Sequence, residues 1–261
     1  MGEDFGTIEM VRTVFPNWNN LFFSDELIHG ASYGIIGYDG NGELQYSELE
    51  TLIACFTSGT LIETECGAIA IEKLRVGDLI KNIDNRDKPI RWIGSSKVSY
   101  EEMRQNQKLY PIRILAGACG QGVPRTDLLV SRQHRMLVRS KIAKRITGQS
   151  ETLVAAIKLT ELPNIFVDQN VEEVEYYHML FDDHQVVFAN GAPCESLFTG
   201  PQALEALGCA ARAEILTLFP NLLAPDIASL PARVVVSGKQ QGLLAARHAK
   251  HSKPILEWGH C

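Results

Sequence analysis

A thiol, a hydroxyl and an imidazole stand out as reactive groups in this sequence. Cys55 opens the run Cys55-Phe-Thr57-Ser-Gly59-Thr60, directly after an acidic segment and at the head of a stretch of short apolar runs. A cysteine in that place has its sulfur beside the carbonyl of its own upstream peptide bond, Ala54–Cys55. Attack there is an N–S acyl shift, which turns an amide into a thioester. The shift needs the departing nitrogen to be protonated, hydrogen-bond donors for the oxyanion, and a frame that holds the bond rigidly. Ser131-Arg-Gln-His134, closing the apolar run LLVS, offers a hydroxyl and an imidazole three residues apart. One of the two can meet the carbonyl side of the bond and the other the amide nitrogen. The plainer alternatives are a small buried cysteine in a strand and a strand histidine with satisfied hydrogen bonds.

Such groups need a scaffold, and the pattern from Cys55 to Phe198 predicts a mainly β one. Short β-branched runs (TLIET, DLIKNI, KPIRWIG, YPIRIL, LLVSRQHRMLV, HQVVFANG) are separated by Gly, Asn, Asp and Pro turn residues. After Gly200 the texture changes. Leu204, Leu207, Ala211, Ile215 and Leu218 recur at helical steps up to Phe219-Pro220, and a second helix is expected around Gly242–Lys250. The expected organisation is an acidic lead of residues 1–54, a β domain of 55–198 and an α-helical tail of 199–261.

The chain carries 25 basic and 31 acidic residues, a net charge of −6. The acidity is local: residues 1–54 hold nine acidic side chains against one basic residue, Arg12. That balance argues against nucleic-acid binding by the lead, and the modest SKIAKR run at 140–145 reads as a solvated face, so no nucleic-acid partner is expected. No apolar stretch approaches the roughly 18 residues of a membrane span, and the first ten residues carry acidic rather than basic charge, so the default expectation is a cytoplasmic protein. The six cysteines form no CxxC pattern and no dense disulfide framework.

Within the acidic lead, residues 37–48 nearly fit a twelve-residue EF-hand loop. Asp39, Asn41, Glu43 and Glu48 are candidate ligands and Gly42 sits at the sharp turn, but Gly37 stands where the first carboxylate belongs. Weak calcium binding is one reading. The other is a turn leading into a short helix, SELETLIA, capped by Ser47.

Three ordered motifs resemble the Hint domain of hedgehog proteins and inteins, in its bacterial stand-alone form. CFTSGTLIET with IEKLRVGDLI resembles the opening motif, VSRQHRMLV the second, and Tyr177-His178 through Asn190-Gly191 the closing one. The resemblance covers about residues 55–200. It implies a Hint-type β fold with no required cofactor, Cys55 as nucleophile, His134 acting on the Cys55 amide, Ser131 in the place of the usual motif threonine, and His184 as the closing-motif histidine. His178 stands where inteins often have aspartate, and Cys194 where hedgehog-like domains carry a second thiol; both are supporting candidates. Splicing needs an asparagine followed by Cys, Ser or Thr at the C-terminal junction, and Asn190 is followed instead by Gly191. The expected activity is therefore single-turnover N-terminal autocleavage, with the chain's own N-terminal segment as substrate and water or an external nucleophile as acceptor. The competing class is a catalytically silent Hint-fold binding or structural module.

Overall fold

The strand that follows Cys55 is only two residues long, and its neighbours are set by pairing over long sequence separations. The computed structural model describes residues 33–38, 44–48, 54–198, 209–219 and 230–257. The chain divides into two units, Met1–Glu48 and Leu49–Cys261.

The described part of the first unit is an antiparallel hairpin of β1 (Tyr33–Tyr38) and β2 (Leu44–Glu48), with Tyr33 opposite Glu48 and Gly34 opposite Ser47. Ser47 therefore lies in a strand rather than at the cap of a helix. Pairing with the apolar run YGIIGY supplies a ladder that a locally capped turn does not, and tertiary context overrides local propensity. Asp39, Asn41 and Glu43 lie outside the described residues.

The second unit contains β3 (Phe56–Thr57), β4 (Leu61–Thr64), β5 (Gly67–Ala70), β6 (Leu79–Ile80), β7 (Lys88–Pro89) and β8 (Trp92–Ser99), followed by a short helix α1 (Tyr100–Gln105). Next come β9 (Ile112–Ile114), β10 (Leu128–Val130), β11 (Arg135–Arg139), helix α2 (Lys141–Thr147), β12 (Glu151–Ala155), β13 (Ile165–Val167), β14 (Glu173–Leu180), β15 (Val186–Ala189) and β16 (Ala192–Glu195). Helices α3 (Cys209–Leu218) and α4 (Gly238–His251) follow. One sheet runs β13-β9-β10-β3-β14-β8; the other runs β12-β11-β16-β15-β4-β6-β7 with β5 beside β4. The fold is mainly β, as the turn-punctuated runs predict.

β15 and β16 are joined by Asn190-Gly191, both at positive φ (47° and 83°), the mirror-image two-residue turn that fits strand twist and favours this dipeptide. Asn190 also ties the turn to the scaffold. Its Oδ1 accepts the Leu61 N–H at 2.8 Å and its Nδ2 donates to the Asp127 carbonyl at 2.8 Å.

The described tail helices, α3 and α4, belong to the same unit. α4 begins with a capping box of Ser237 and Gln240 and places Leu244 and Ala245 in the main core. Gln241 accepts the Ala155 N–H at 3.0 Å. Arg233, just before α4, pairs with Asp84 and Glu151. α3 packs Ile215 into a second apolar cluster that contains Cys55, Trp92, Met103, Tyr176 and Leu180. Two short helices lie outside the sequence expectation: α1, capped by Ser99 and Glu102, and α2, capped by Ser140, with Ser140 and Ala143 of the SKIAKR run buried. Among the described residues no helix is long and apolar enough to cross a membrane.

Candidate active site around the Ala54–Cys55 bond

The strand order explains why distant residues meet at Cys55. β3 lies between β10 and β14, and Phe56 is paired with Val130 on one side and Tyr177 on the other. In antiparallel ladders the residue before Phe56 then falls opposite the residues that follow Val130 and Tyr177, which are Ser131 and His178. The Ser131 N–H donates to the Cys55 carbonyl at 3.0 Å, extending the ladder by one step. Side-chain alternation along β14 points Val174, Tyr176, His178 and Leu180 to one buried face, so the imidazole at 178 stands among apolar residues on the Cys55 side.

The polar atoms of the Ala54–Cys55 peptide are both engaged. The Cys55 N–H donates to Ser131 Oγ at 3.1 Å, and His178 Nδ1 lies 3.2 Å from the Ala54 carbonyl oxygen. The other ring nitrogen of His178, Nε2, is 3.9 Å from Cys55 Sγ. His134 reaches the site through a tight turn closed by its N–H to the Ser131 carbonyl at 3.1 Å. Its Nδ1 lies 3.1 Å from the carbonyl of Cys55 itself, one peptide downstream of the Ala54 carbonyl, and its ring packs edge-on against Phe56. A carbonyl can only accept, so Nδ1 carries the hydrogen in both imidazoles and Nε2 is bare when the ring is neutral. His134 Nε2 is buried without a hydrogen-bond partner among the described residues.

Burial governs the protonation states. It pushes the Cys55 thiol up to about 12, an effect only partly offset by the Ser131 hydroxyl. It pushes His134 and His178 down to about 4; for His134 the buried carboxylate of Glu195 opposes the shift, and for His178 the bond to Ala54 does. At neutral pH the resting site is therefore a neutral thiol facing neutral imidazoles.

The remaining sequence candidates lie elsewhere. His184 has a buried side chain that accepts the Ala232 N–H on Nδ1 at 3.0 Å, stands 3.4 Å from Glu195 Oε2 and packs against Phe198. Cys194 is a free thiol in β16, in the main core with Cys119, whereas Cys55 belongs to the second apolar cluster. Glu48 is in β2, and among the described residues no group of three or more His, Cys, Asp or Glu side chains is placed to hold a metal ion.

The Cys55 thiol thus stands at the head of a mainly β scaffold, with its upstream peptide bond held by a hydroxyl on the N–H and an imidazole on the carbonyl. A Hint domain family model matches residues 54–201, more than half of the chain. The chain belongs to the Hint domain family, whose members are self-processing domains that need no cofactor. Among solved structures it is similar to a bacterial intein-like domain from Clostridium thermocellum, at 15% identity over 54% of this chain and 97% of that one, with a TM-score of 0.38. It is also similar to the gp41-1 intein, at 12% identity over 54% and 97% of the two chains, with a TM-score of 0.34. Among curated proteins none matches.

Proposed function

We propose that this Hint domain breaks its own Ala54–Cys55 bond by an N–S acyl shift and releases the upstream segment through the thioester, without splicing. The observation that carries this reading is the grip on that one peptide, Ser131 Oγ on its N–H and His178 Nδ1 on its carbonyl, beside the Cys55 thiol. The balance of the reaction is simple. Cys55 Sγ bonds to the Ala54 carbonyl carbon, the carbon–nitrogen bond breaks, and the thiol proton ends on the Cys55 amine. Water or an external thiol then takes the acyl group and returns the Cys55 thiol. Ser131, His134 and His178 are the groups at this junction, while His184 and Cys194 act, in this reading, on the scaffold. Cleavage without splicing is supported by Asn190, whose side-chain amide is held at both ends by Leu61 and Asp127 and so is not presented for cyclisation.

The silent-module reading draws on a specific observation too: Cys55 is only 3% exposed and its thiol is held neutral by burial. Intact mass measured over time, with and without a strong external thiol, decides between the two. The proposal expects a break between Ala54 and Cys55 that is absent in Cys55→Ala. A chain that stays intact under thiol while remaining folded overturns it in favour of the silent module.

A further inference from the structure

We propose that His178 is both the base and the carbonyl polariser of this acyl shift, one imidazole holding the Ala54 oxygen through Nδ1–H while its Nε2 takes the Cys55 thiol proton. This rests on the autocleavage reading above and assigns it a catalytic residue that touches both reacting groups.

The argument starts from the ring's two contacts. Nδ1 is 3.2 Å from an atom that can only accept, which fixes the hydrogen on Nδ1 and leaves a lone pair on Nε2. That lone pair faces Cys55 Sγ at 3.9 Å, within reach of an S–H donor. The same tautomer thus serves two needs of the reaction. Negative charge growing on the Ala54 oxygen is met by a donor already in place, and the proton leaving sulfur has an acceptor already in place. As the Sγ–C bond forms, the thiol proton moves to Nε2 and the imidazolium stabilises the oxyanion through Nδ1–H. As the C–N bond breaks, that proton passes to the departing Cys55 nitrogen, and the ring is neutral again. One proton leaves sulfur and one arrives on nitrogen, so no co-reactant is needed before the thioester meets water or thiol.

His134 is placed differently. Its Nδ1 is on the Cys55 carbonyl, which does not change bonding in the shift, so it fixes the downstream peptide of the nucleophile. Two titratable groups interact with His178: the Cys55 thiol, 3.9 Å from Nε2, and His134 from the turn after β10, while Tyr176 lies on the same buried face of β14. The principal influences on the ring are burial, which keeps it neutral, and the Ala54 contact.

Three measurements test this. In the uncleavable Cys55→Ala chain, nitrogen NMR of His178 at neutral pH must show the Nδ1–H tautomer; an Nε2–H ring overturns the proposal, and no His178 variant has to fold for that result. In the otherwise unaltered chain, His178→Asn keeps a donor near the Ala54 oxygen but no base, and is expected to slow cleavage by roughly 10²–10⁴-fold. In His178→Ala, added imidazole is expected to restore part of the rate. Cleavage by His178→Asn within twofold of the unaltered chain overturns this assignment and leaves autocleavage standing, whereas an unaltered chain that never cleaves removes both.

Discussion

Ser131 Oγ accepts the backbone N–H of Cys55 at 3.1 Å across 76 residues of sequence. The bond exists because β10 and β3 are paired only at Val130 and Phe56, so the polar side chain just past that pair is the one that meets the junction. Replacing Ser131 with alanine leaves a buried N–H without that acceptor, which costs roughly 1–3 kcal/mol. Ser131→Thr keeps the hydroxyl and is expected to retain most of the stability. Urea denaturation in the Cys55→Ala background, which preserves the N–H, measures both; equal midpoints for Ser131→Ala and the parent would show that the contact contributes nothing.

Acid should destabilise the uncleaved domain in a window set by its buried imidazoles. His134 and His178 are held down to about 4 in the fold against 6.5 for a free imidazole. Between those values the unfolded chain binds protons that the folded chain refuses. Their contribution is therefore complete above pH 6.5 and is lost as pH falls through the folded values, by up to roughly 3 kcal/mol for each ring. The carboxylates of Glu195 and Glu151, also held below their ordinary range, act in the same direction but in a lower window, below about 4.5. Denaturation midpoints of Cys55→Ala from pH 7.5 to 4 should fall steeply, and His178→Asn should flatten part of that fall. A profile level down to pH 4.5 would contradict the assigned shifts.

How much of the site could be read in advance follows from how locally each contact is encoded. Ser131 and His134 were legible because they share one tight turn, and three-residue spacing is a property of the turn itself. His178 was legible only as a member of the closing motif. Its place beside Cys55 depends on Phe56 meeting Tyr177, a pairing between residues far apart in the chain that no local pattern specifies. The available signal was a histidine on the apolar face of an alternating strand, between Tyr176 and Leu180. His184, six residues on, has equally suggestive chemistry but lies past the end of β14, where Glu195, Phe198 and Ala232 surround it. The fold followed the same rule. α3 announced itself through the helical steps of Ala211, Ile215 and Leu218, while Ser47 looked like a helix cap and became part of a strand because YGIIGY lies across from it.

Gly94 is the register partner of His178 across β8 and β14. A Cβ there would stand 2.5 Å from the Trp92 ring, so the absence of a side chain lets the indole lie along its own strand. Gly94→Ala must displace a ring that is buried in the Cys55 cluster, with an expected cost of about 1–3 kcal/mol. The tryptophan fluorescence maximum should shift to the red with the loss of burial. Unchanged fluorescence and an unchanged melting temperature would mean that the indole has room the geometry does not show.

Helix α3 packs into the apolar cluster that holds the thiol, and its undocking is expected to open access to Cys55. Ile215 is fully buried in the cluster that holds Cys55, and Glu214 anchors the helix by accepting the Trp92 indole N–H at 2.9 Å. With Cys55 only 3% exposed, an alkylating reagent or an acyl acceptor reaches sulfur when this packing opens. Glu214→Ala removes the anchor without touching the junction, and losing about 1.4 kcal/mol of docking raises the open population tenfold. Iodoacetamide labelling of Cys55, read against the exposed Cys66 in the same chain, should therefore accelerate about tenfold, whereas Glu214→Gln, which keeps an acceptor, should change it less. If thiol-induced cleavage accelerates in parallel, opening of α3 limits acceptor entry. If labelling accelerates and cleavage does not, the acyl shift itself is the slow step, and the effect of His178→Asn on the rate will appear in full.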